Sequence, residues 1–450
     1  MPSRSTTAPR SGDSPGVQRF INKTVPLRFL GEELEISLSH GLFSSFDVDD
    51  GTRLLLKSLA QRVDLASLES ALDVGCGVGV IGACVGRRAP RARLLLQDRD
   101  ALAAAVARIN CAANGIAAAE VDCALAFQGL AGRRFDLVVS NLPAKAGAPV
   151  LQAFLRHAAG CLSGRGLAAV VIVAPLAAMA RRAIQELGCA LVHSEDTDSY
   201  SVFHFSAGSA PQESDAQRED LSPYIRTTTR FAHGPREHFL ETVHALASFD
   251  TLGRDLELAL DLLEETSTRL FPTVPGDDGS GPVRPGGRVG PHRRSVLVWN
   301  PGQGHLALAS AAVAGPSVSV AIASRDCLEC AITGRNLATR GTGVDAVHLL
   351  ASEEQIAGAV PADSVDLLVA APHPVPRVPW QGDLAESARR VLKPGGSLLV
   401  VATSTEMHRL RAQARGLVLT ADRKRAGLRA MVLTRPARAP ALAPTPPSPA

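Results

Sequence analysis

The sequence predicts two doubly wound α/β domains in tandem, the second a decayed copy of the first, and three observations lead there. Short Val/Ala/Leu runs alternate with Ala-rich amphipathic stretches in both halves, the pattern of a parallel sheet covered on both faces. Twice a strand-like run enters a glycine-rich turn, in ALDVGCGVGVIG at 71–82 and in VLVWNPGQGHLAL at 296–308. Further segments then answer one another in the same order. LLLQDRD (94–100) matches VAIASRD (320–326) at an offset of 226. FDLVVSNLPA (135–144) matches VDLLVAAPHP (365–374), and LSGRG (162–166) matches LKPGG (392–396), both at 230. Aligned on glycine identity, Gly75 falls on Gly302 and Gly77 on Gly304, an offset of 227. Upstream, HGLFSSFD (40–47) is echoed by HALASFD (244–250). So long a period with so little drift is a duplicated domain, not a solenoid.

Length and composition agree. A chain of 450 residues has room for two or three domains, and 46% apolar with 20% charged residues is ordinary for a soluble globular protein. Residues 1–17 and 436–450 are too rich in Pro, Ser, Ala and Arg to support a core and are expected to be disordered tails. The first domain is expected over 18–208 and the second over 220–435, with a flexible insertion at 272–294. The longest apolar stretch, Leu167 to Ala180, is broken by Pro175 and is too short to cross a bilayer; it reads as a buried strand running into a helix. The N-terminal residues lack the apolar core of a secretory signal, and eight scattered cysteines fit reduced thiols, so a cytoplasmic location is expected.

The chemistry concentrates in three places of the first half. Asp73-Val-Gly-Cys-Gly-Val-Gly79 lies where a buried strand becomes a helix, and glycines there let the backbone turn sharply and approach a ligand. Gly77-Val-Gly-Val-Ile-Gly82 also fits a dinucleotide fingerprint, which keeps a nucleotide-dependent oxidoreductase open. An acidic residue standing before the first glycine, and the tighter Gly75-Cys76-Gly77-Val78-Gly79 turn, favour S-adenosylmethionine (SAM) instead. Asp98 closes the next strand, where a carboxylate can accept hydrogen bonds from both hydroxyls of an adenosine ribose. Asn141-Leu-Pro-Ala144 follows the strand that faces the switch point of such a sheet. Methyl transfer from a sulfonium is an in-line displacement needing no metal, only a lone pair aimed at the methyl carbon. The Asn141 carbonyl, with a backbone carbonyl stiffened by Pro143, suits that task by accepting from an amino group. Lys145 is placed to meet an anionic substrate.

The series HGLFSSFDVDDGTRLLLKSL, DVGCGVG, LQDRD, INCAANG and FDLVVSNLPA resembles the methyltransferase small domain, and within it the two-domain ribosomal RNA guanine-N2 methyltransferases. The resemblance covers roughly 20–206 well and 223–435 weakly. It implies a Rossmann-like class I SAM-dependent methyltransferase acting on an amino nitrogen, with ribosomal RNA as the partner. It further implies that Asp73, Gly75, Cys76, Gly77 and Gly79 line the methionine part of SAM and that Asp98 holds the ribose. Asn141 and Pro143 would orient the amino group, and Phe43 would lie near the bound ligands. Two residues depart from the family pattern. Leu142 replaces the first proline of Asn-Pro-Pro, and Ala144 replaces the aromatic that stacks on the target base. The degenerate half also comes second, whereas in the ribosomal enzymes it comes first. A protein or small-molecule acceptor therefore stays open, as does a non-catalytic SAM- or RNA-binding module.

The second half is expected to keep its fold for docking. Asp73 is answered by Asn300, Gly79 by Leu306, Asp98 by Ser324 and Asn141 by Ala371. No metal site is expected, because the twelve histidines form no HExxH-like pair and Cys327-Leu-Glu-Cys330 stands alone. The net charge of +3 makes no case for nucleic acid by itself. Basic clusters at Arg87, Arg88, Arg91 and Arg93, at Arg423, Lys424 and Arg425, and at His292, Arg293 and Arg294 suit RNA phosphates or a solvated surface. Two Tyr and two Trp argue against a broad stacking platform.

Overall fold

The computed structural model describes residues 15–43, 45–116, 118–208, 220–248, 251–272 and 293–437. The expected tails and the 272–294 insertion lie mostly outside them. Within the expected first tail, Pro15–Gln18 forms one helical turn with Val17 buried.

Each half begins with an antiparallel hairpin, β1 (Ile21–Phe29) and β2 (Glu32–Ser39), followed by helix Asp50–Arg62. A seven-stranded sheet follows, built from β3 (Ser70–Val74), β4 (Arg93–Asp98), β5 (Glu120–Cys123), β6 (Phe135–Asn141), β7 (Leu162–Val173), β8 (Ala190–Asp196) and β9 (Tyr200–Ser206). Its order is β5-β4-β3-β6-β7-β9-β8. The second half repeats this with hairpin β10 (Ile225–His233) and β11 (Arg236–Val243), helix Arg254–Leu270, and strands β12 (Ser295–Trp299), β13 (Ser319–Ser324), β14 (Val344–Leu349), β15 (Val365–Ala370), β16 (Leu392–Thr403), β17 (Val418–Arg425) and β18 (Leu428–Thr434). The order β14-β13-β12-β15-β16-β18-β17 is the same. Both sheets are doubly wound and Rossmann-like. Five strands of each are parallel, and the last two form a hairpin whose second strand runs antiparallel to its neighbour.

The central strands are covered on both faces; every residue of β3 is buried. Leu167–Ala180 does run from strand β7 into helix Ala177–Glu186. From β3 the chain crosses to β4 on one side and later returns to β6 on the other, so a crevice opens beyond their C-terminal ends. Ser140 Oγ ties the two strands there, donating to the Val74 carbonyl at 2.7 Å.

The duplication holds, but its register at the glycine turn differs from the identity match. Asp136 caps the start of β3 by accepting from Ser70 N–H, and Asp366 does the same for Ser295. Gly75 N–H donates to Gln97 and Asn300 N–H to Ala323 at equivalent places. The offset is therefore 225 (Ser70 against Ser295), not 227. Gly77 answers to Gly302 and Gly79 to Gly304, with φ of 55°, 57°, 83° and 99°. Gly75 is matched by Asn300, which keeps the left-handed conformation at φ 51°. Asp73 is matched by apolar Val298, and Gly79 by no leucine.

A buried asparagine holds each turn. Asn110 bonds both backbone groups of Ser37 on β2 and the carbonyl of Val78 in the turn. Asn336 bonds Glu241 on β11 and the carbonyl of Gln303 in the same way. Hairpin, helix and glycine turn are thereby one unit in each half.

The halves meet through the repeated Arg-Asp dipeptide. Arg325 pairs with Asp100 at 2.7 Å and Arg99 with Asp326 at 3.3 Å. Backbone bonds run from Ala101 N–H to Arg325 and from Cys327 N–H to Arg99. The arrangement is close to two-fold.

Candidate active site

The glycines of the turn serve two purposes. Gly79 and Gly82 are required by the protein itself, since a Cβ would lie 3.0 Å from Ala107 Cβ at the first and 2.6 Å from Leu96 Cδ2 at the second. A Cβ at Gly77 would meet no protein atom within 4 Å, and one at Gly75 only Ser140 Oγ at 4.0 Å. Those two positions open onto the crevice, and their left-handed backbone exposes the turn to a ligand. Cys76 between them faces the core, and burial pushes its thiol well above the usual range, so only its backbone borders the crevice.

Asp73 accepts the Gly82 N–H at 2.8 Å through Oδ2. Its Oδ1 is buried and has no donor among the described residues. Burial is the main cause raising this carboxyl to about 7, with the nearby Asp98 charge adding to it. Asp98 accepts from Gly77 N–H (2.8 Å) and Asp100 N–H (2.9 Å), and burial raises it to about 6. Each Asp98 oxygen keeps a second lone pair. An orphaned carboxylate oxygen, two open glycines and a half-saturated carboxylate at the end of β4 fit a nucleoside carrying a cationic amino-acid tail. A dinucleotide pyrophosphate, by contrast, would be pressed against Asp73 and Asp98.

Asn141, at the end of β6, is half-buried, and Pro143, Ala144 and Lys145 beyond it are exposed. The Asn141 Nδ2 donates to Asp49 Oδ2 at 2.8 Å and to Thr52 Oγ1 at 3.1 Å. The amide is thus oriented with its carbonyl oxygen away from both and without a protein donor among the described residues. Asp49 also caps helix Asp50–Arg62 through Thr52 N–H and accepts from the Tyr200 hydroxyl at 3.1 Å. Gly51 admits the Tyr200 ring, which a Cβ would approach to 2.8 Å. Phe43 sits on the loop between β2 and this helix and is 70% exposed.

The structure thus brings Asp73, Gly75, Gly77, Gly79, Asp98, Asn141 and Pro143 to the C-terminal ends of the central strands β3, β4 and β6, with Phe43 on the loop leading to Asp49. Asp49, Thr52, Tyr200 and Asn110 are not singled out by the sequence reading. Asp49 carries an N-cap signal, but DVDDGT offers three carboxylates and the sequence does not choose among them. Asn110 is a lone polar residue on an apolar helix, a pattern with many structural explanations.

The second turn keeps an open glycine, since a Cβ at Gly302, the counterpart of Gly77, would also meet nothing within 4 Å, but the groups around it differ. Ser324 stands in place of Asp98, but Glu329 from helix Cys327–Ala338 supplies a carboxylate there, accepting from Ser324 Oγ at 2.8 Å and from Gly302 N–H. The loss of acidic groups read from the aligned residues is therefore only partial in space. Glu329 is buried, and mainly for that reason is raised to about 7; His373 lies 3.7 Å away. Arg19 and Phe20 line a small pocket together with His373, Val375 and Trp380, and Arg19 is held by Asp383 at 2.6 Å. With Val298 in the place of Asp73 and Ser324 in that of Asp98, titration calorimetry is expected to give one SAM per chain, and a Glu329→Ala variant to leave that stoichiometry unchanged; two sites would contradict the reading of a decayed second half.

Half of the residues in the basic clusters are spent on ion pairs, and His292 lies outside the described residues. Arg87 and Arg88 pair with Glu32, Arg423 and Arg425 with Asp261, and Arg293 with Asp345. Cys327 donates to or accepts from Cys123 at 3.3 Å across the interface, while Cys330 is buried apart. No group of three or more potential metal ligands occurs among the described residues, and no described helix is long and apolar enough to cross a membrane.

Residues 33–204 match the model of the methyltransferase small domain. Similar proteins include the ribosomal RNA small subunit methyltransferase C of Haemophilus influenzae, 37% identical over 112 residues, which are 25% of this chain and 32% of that protein. The protein of the same name from Pseudomonas putida is 41% identical over 100 residues, 20% of this chain and 29% of its own length. The matches thus span about a third of these relatives. Among solved structures, a T. thermophilus 16S rRNA N2 methyltransferase in complex with AdoMet and guanosine superposes with a TM-score of 0.56 at 20% identity. It covers 93% of this chain and 99% of its own, which establishes the two-domain fold.

Proposed function

We propose that this chain, whose residues 33–204 carry a methyltransferase small domain, is a SAM-dependent methyltransferase that modifies an amino nitrogen of ribosomal RNA, with guanine N2 as the target. The observation that carries the reading is the Asn141 amide at the end of β6, held through its nitrogen by Asp49 and Thr52 so that its carbonyl oxygen has no protein donor among the described residues. SAM, when bound, supplies a methyl group on a positively charged sulfur. Asp98 holds the ribose hydroxyls, and Asp73 Oδ1 with the Gly75–Gly77 backbone receives the amino-acid tail. The Asn141 carbonyl and the backbone carbonyl before Pro143 accept the two N–H groups of the target amine, which turns its lone pair toward the methyl group. The N–C bond would form as the C–S bond breaks, leaving a neutral thioether, and the surplus proton on the methylated nitrogen would pass to water afterwards, so no residue need abstract one beforehand. The relatives named for small-subunit RNA methylation and the fold shared with a guanosine complex support RNA as the acceptor class.

The test uses labelled SAM with RNA, protein and small-molecule fractions of a bacterial extract, and Asp98→Ala as the blank. Label in RNA that the variant abolishes is expected. Label confined to protein or small molecules would overturn the RNA acceptor, and no transfer despite SAM binding would overturn the activity.

The raised carboxyls set a pH dependence. Folded Asp73 and Asp98 titrate near 7 and 6, above the 3.8 of a free aspartate. Without ligand, stability falls as pH rises from about 4 toward 7, because the unfolded chain ionises first. Ligand affinity has the opposite sign, since the cationic tail and ribose hydroxyls favour the ionised carboxylates. SAM affinity measured by calorimetry is expected to rise from pH 5.5 to 7.5, as an order-of-magnitude effect or less. Asp98→Asn should remove the lower part of that rise.

A further inference from the structure

We infer that Phe46, together with Phe43, forms the stacking face for the flat acceptor base, replacing the ring that Ala144 lacks; this rests on the RNA reading above. Phe43 and Phe46 are 70% and 69% exposed, more than any other large apolar side chain among the described residues. Both lie on one short loop between β2 and helix Asp50–Arg62, and such paired exposure is costly unless a ligand covers it.

The loop is anchored on several sides. Asn22 Nδ2 donates to the Ser45 carbonyl at 3.0 Å, and Arg53 pairs with Asp47 at 2.9 Å. His40 meets the Phe46 ring edge-on with centroids 5.4 Å apart. The second half closes on its base, where Arg325 reaches the Gly41 carbonyl and a Cβ at Gly41 would come within 2.7 Å of Val375. The rings are therefore presented from a fixed base. Two residues separate Phe46 from Asp49, three Cα steps that span at most about 11 Å, and Asp49 is bonded to Asn141. A base whose amine reaches Asn141 is within reach of that ring.

The chemistry favours a nucleobase over a peptide side chain. Two aromatic faces offer dispersion and stacking without a directional partner, as single-stranded bases require. Lys145, exposed beside Asn141, and Lys23, exposed on the strand that anchors the loop, supply positive charge for a phosphodiester backbone.

The experiment compares Phe46→Ala, Phe46→Leu and Phe46→Tyr in methyl transfer to unmodified ribosomal RNA transcribed in vitro, with SAM affinity measured on each. Phe46→Ala and Phe46→Leu are expected to raise KM for RNA about five- to hundred-fold, the loss of one base–aromatic stack. SAM affinity should be unchanged, and Phe46→Tyr should restore KM. Equal KM for parent and Phe46→Ala would overturn the stacking role while leaving the activity standing. Loss of SAM affinity in Phe46→Ala would overturn it in favour of a structural role. A parent that methylates no RNA would overturn both readings.

Discussion

Asn141→Ala is expected to reduce methyl transfer by about 10²–10³-fold, the size of effect seen when one preorganised polar contact to a reacting group is removed. SAM affinity should change only a few-fold, because the proposed ribose and tail contacts lie on Asp98 and the glycine turn. The geometry makes the role specific. Asn141 spends its Nδ2 on Asp49 and Thr52, which leaves the carbonyl as the end without a protein partner among the described residues and, in the proposed reaction, the acceptor for the amine. Asn141→Asp keeps an acceptor but sets a second carboxylate against Asp49, and should recover little activity. Asp49 is a positioning residue, acting through Asn141. Asp49→Ala should lower kcat about ten-fold and cost about 1 kcal/mol of stability through the lost helix cap. Asp49→Ser, which still caps but is too short to reach Asn141, separates the two: its stability should return while kcat stays low. Single-turnover rates with saturating SAM, beside thermal unfolding, measure both.

Gly79→Ala and Gly77→Ala should fail in opposite ways although they are two residues apart. Gly79 stands at φ 83° with Ala107 Cβ 3.0 Å and Leu96 Cδ2 3.1 Å from a would-be Cβ. Backbone strain of about 1–2 kcal/mol and overpacking of about 1–3 kcal/mol together destabilise the first half by about 2–5 kcal/mol. A lower unfolding midpoint is the expected reading. Gly77, at φ 55° with nothing within 4 Å, bears only the backbone strain and should stay folded. The added methyl projects into the crevice, so SAM binding should be lost or weakened by more than ten-fold. Unfolding and SAM titration on both variants decide the matter, and a folded Gly79→Ala with normal binding would contradict the packing assigned to it.

Much of this molecule is written in local patterns. Alternating apolar runs and helical stretches determine two doubly wound sheets, and a repeated order of segments determines that one is a copy of the other. Asp98 before Arg99 and Asp100, and Asn141 after an apolar strand, are visible because a sheet places strand ends at the switch point wherever they occur in the chain. The glycine register was not legible in the same way. Identity draws Gly75 onto Gly302, whereas the backbone cares about φ, and Asn300 adopts at 51° what Gly75 adopts at 69°. Only the strand hydrogen bonds place the two turns 225 residues apart.

The same distinction separates the remaining residues. Sequence by itself determined the fold class and the glycine turn and pointed to Asp98 and Asn141 at the strand ends, since each follows from neighbours along one strand or turn. Tertiary structure decided which of Asp47, Asp49 and Asp50 holds Asn141, that Glu329 fills the place vacated by Ser324, and that Val375 and Arg325 of the second half support the loop carrying Phe43 and Phe46. Those contacts join residues 92 apart for Asp49 and Asn141, and 284 apart for Gly41 and Arg325. Hydrogen-bond geometry and close packing select such pairs only once the sheets have formed, because nothing local in the chain distinguishes the residue that will meet its partner from its neighbours that will not.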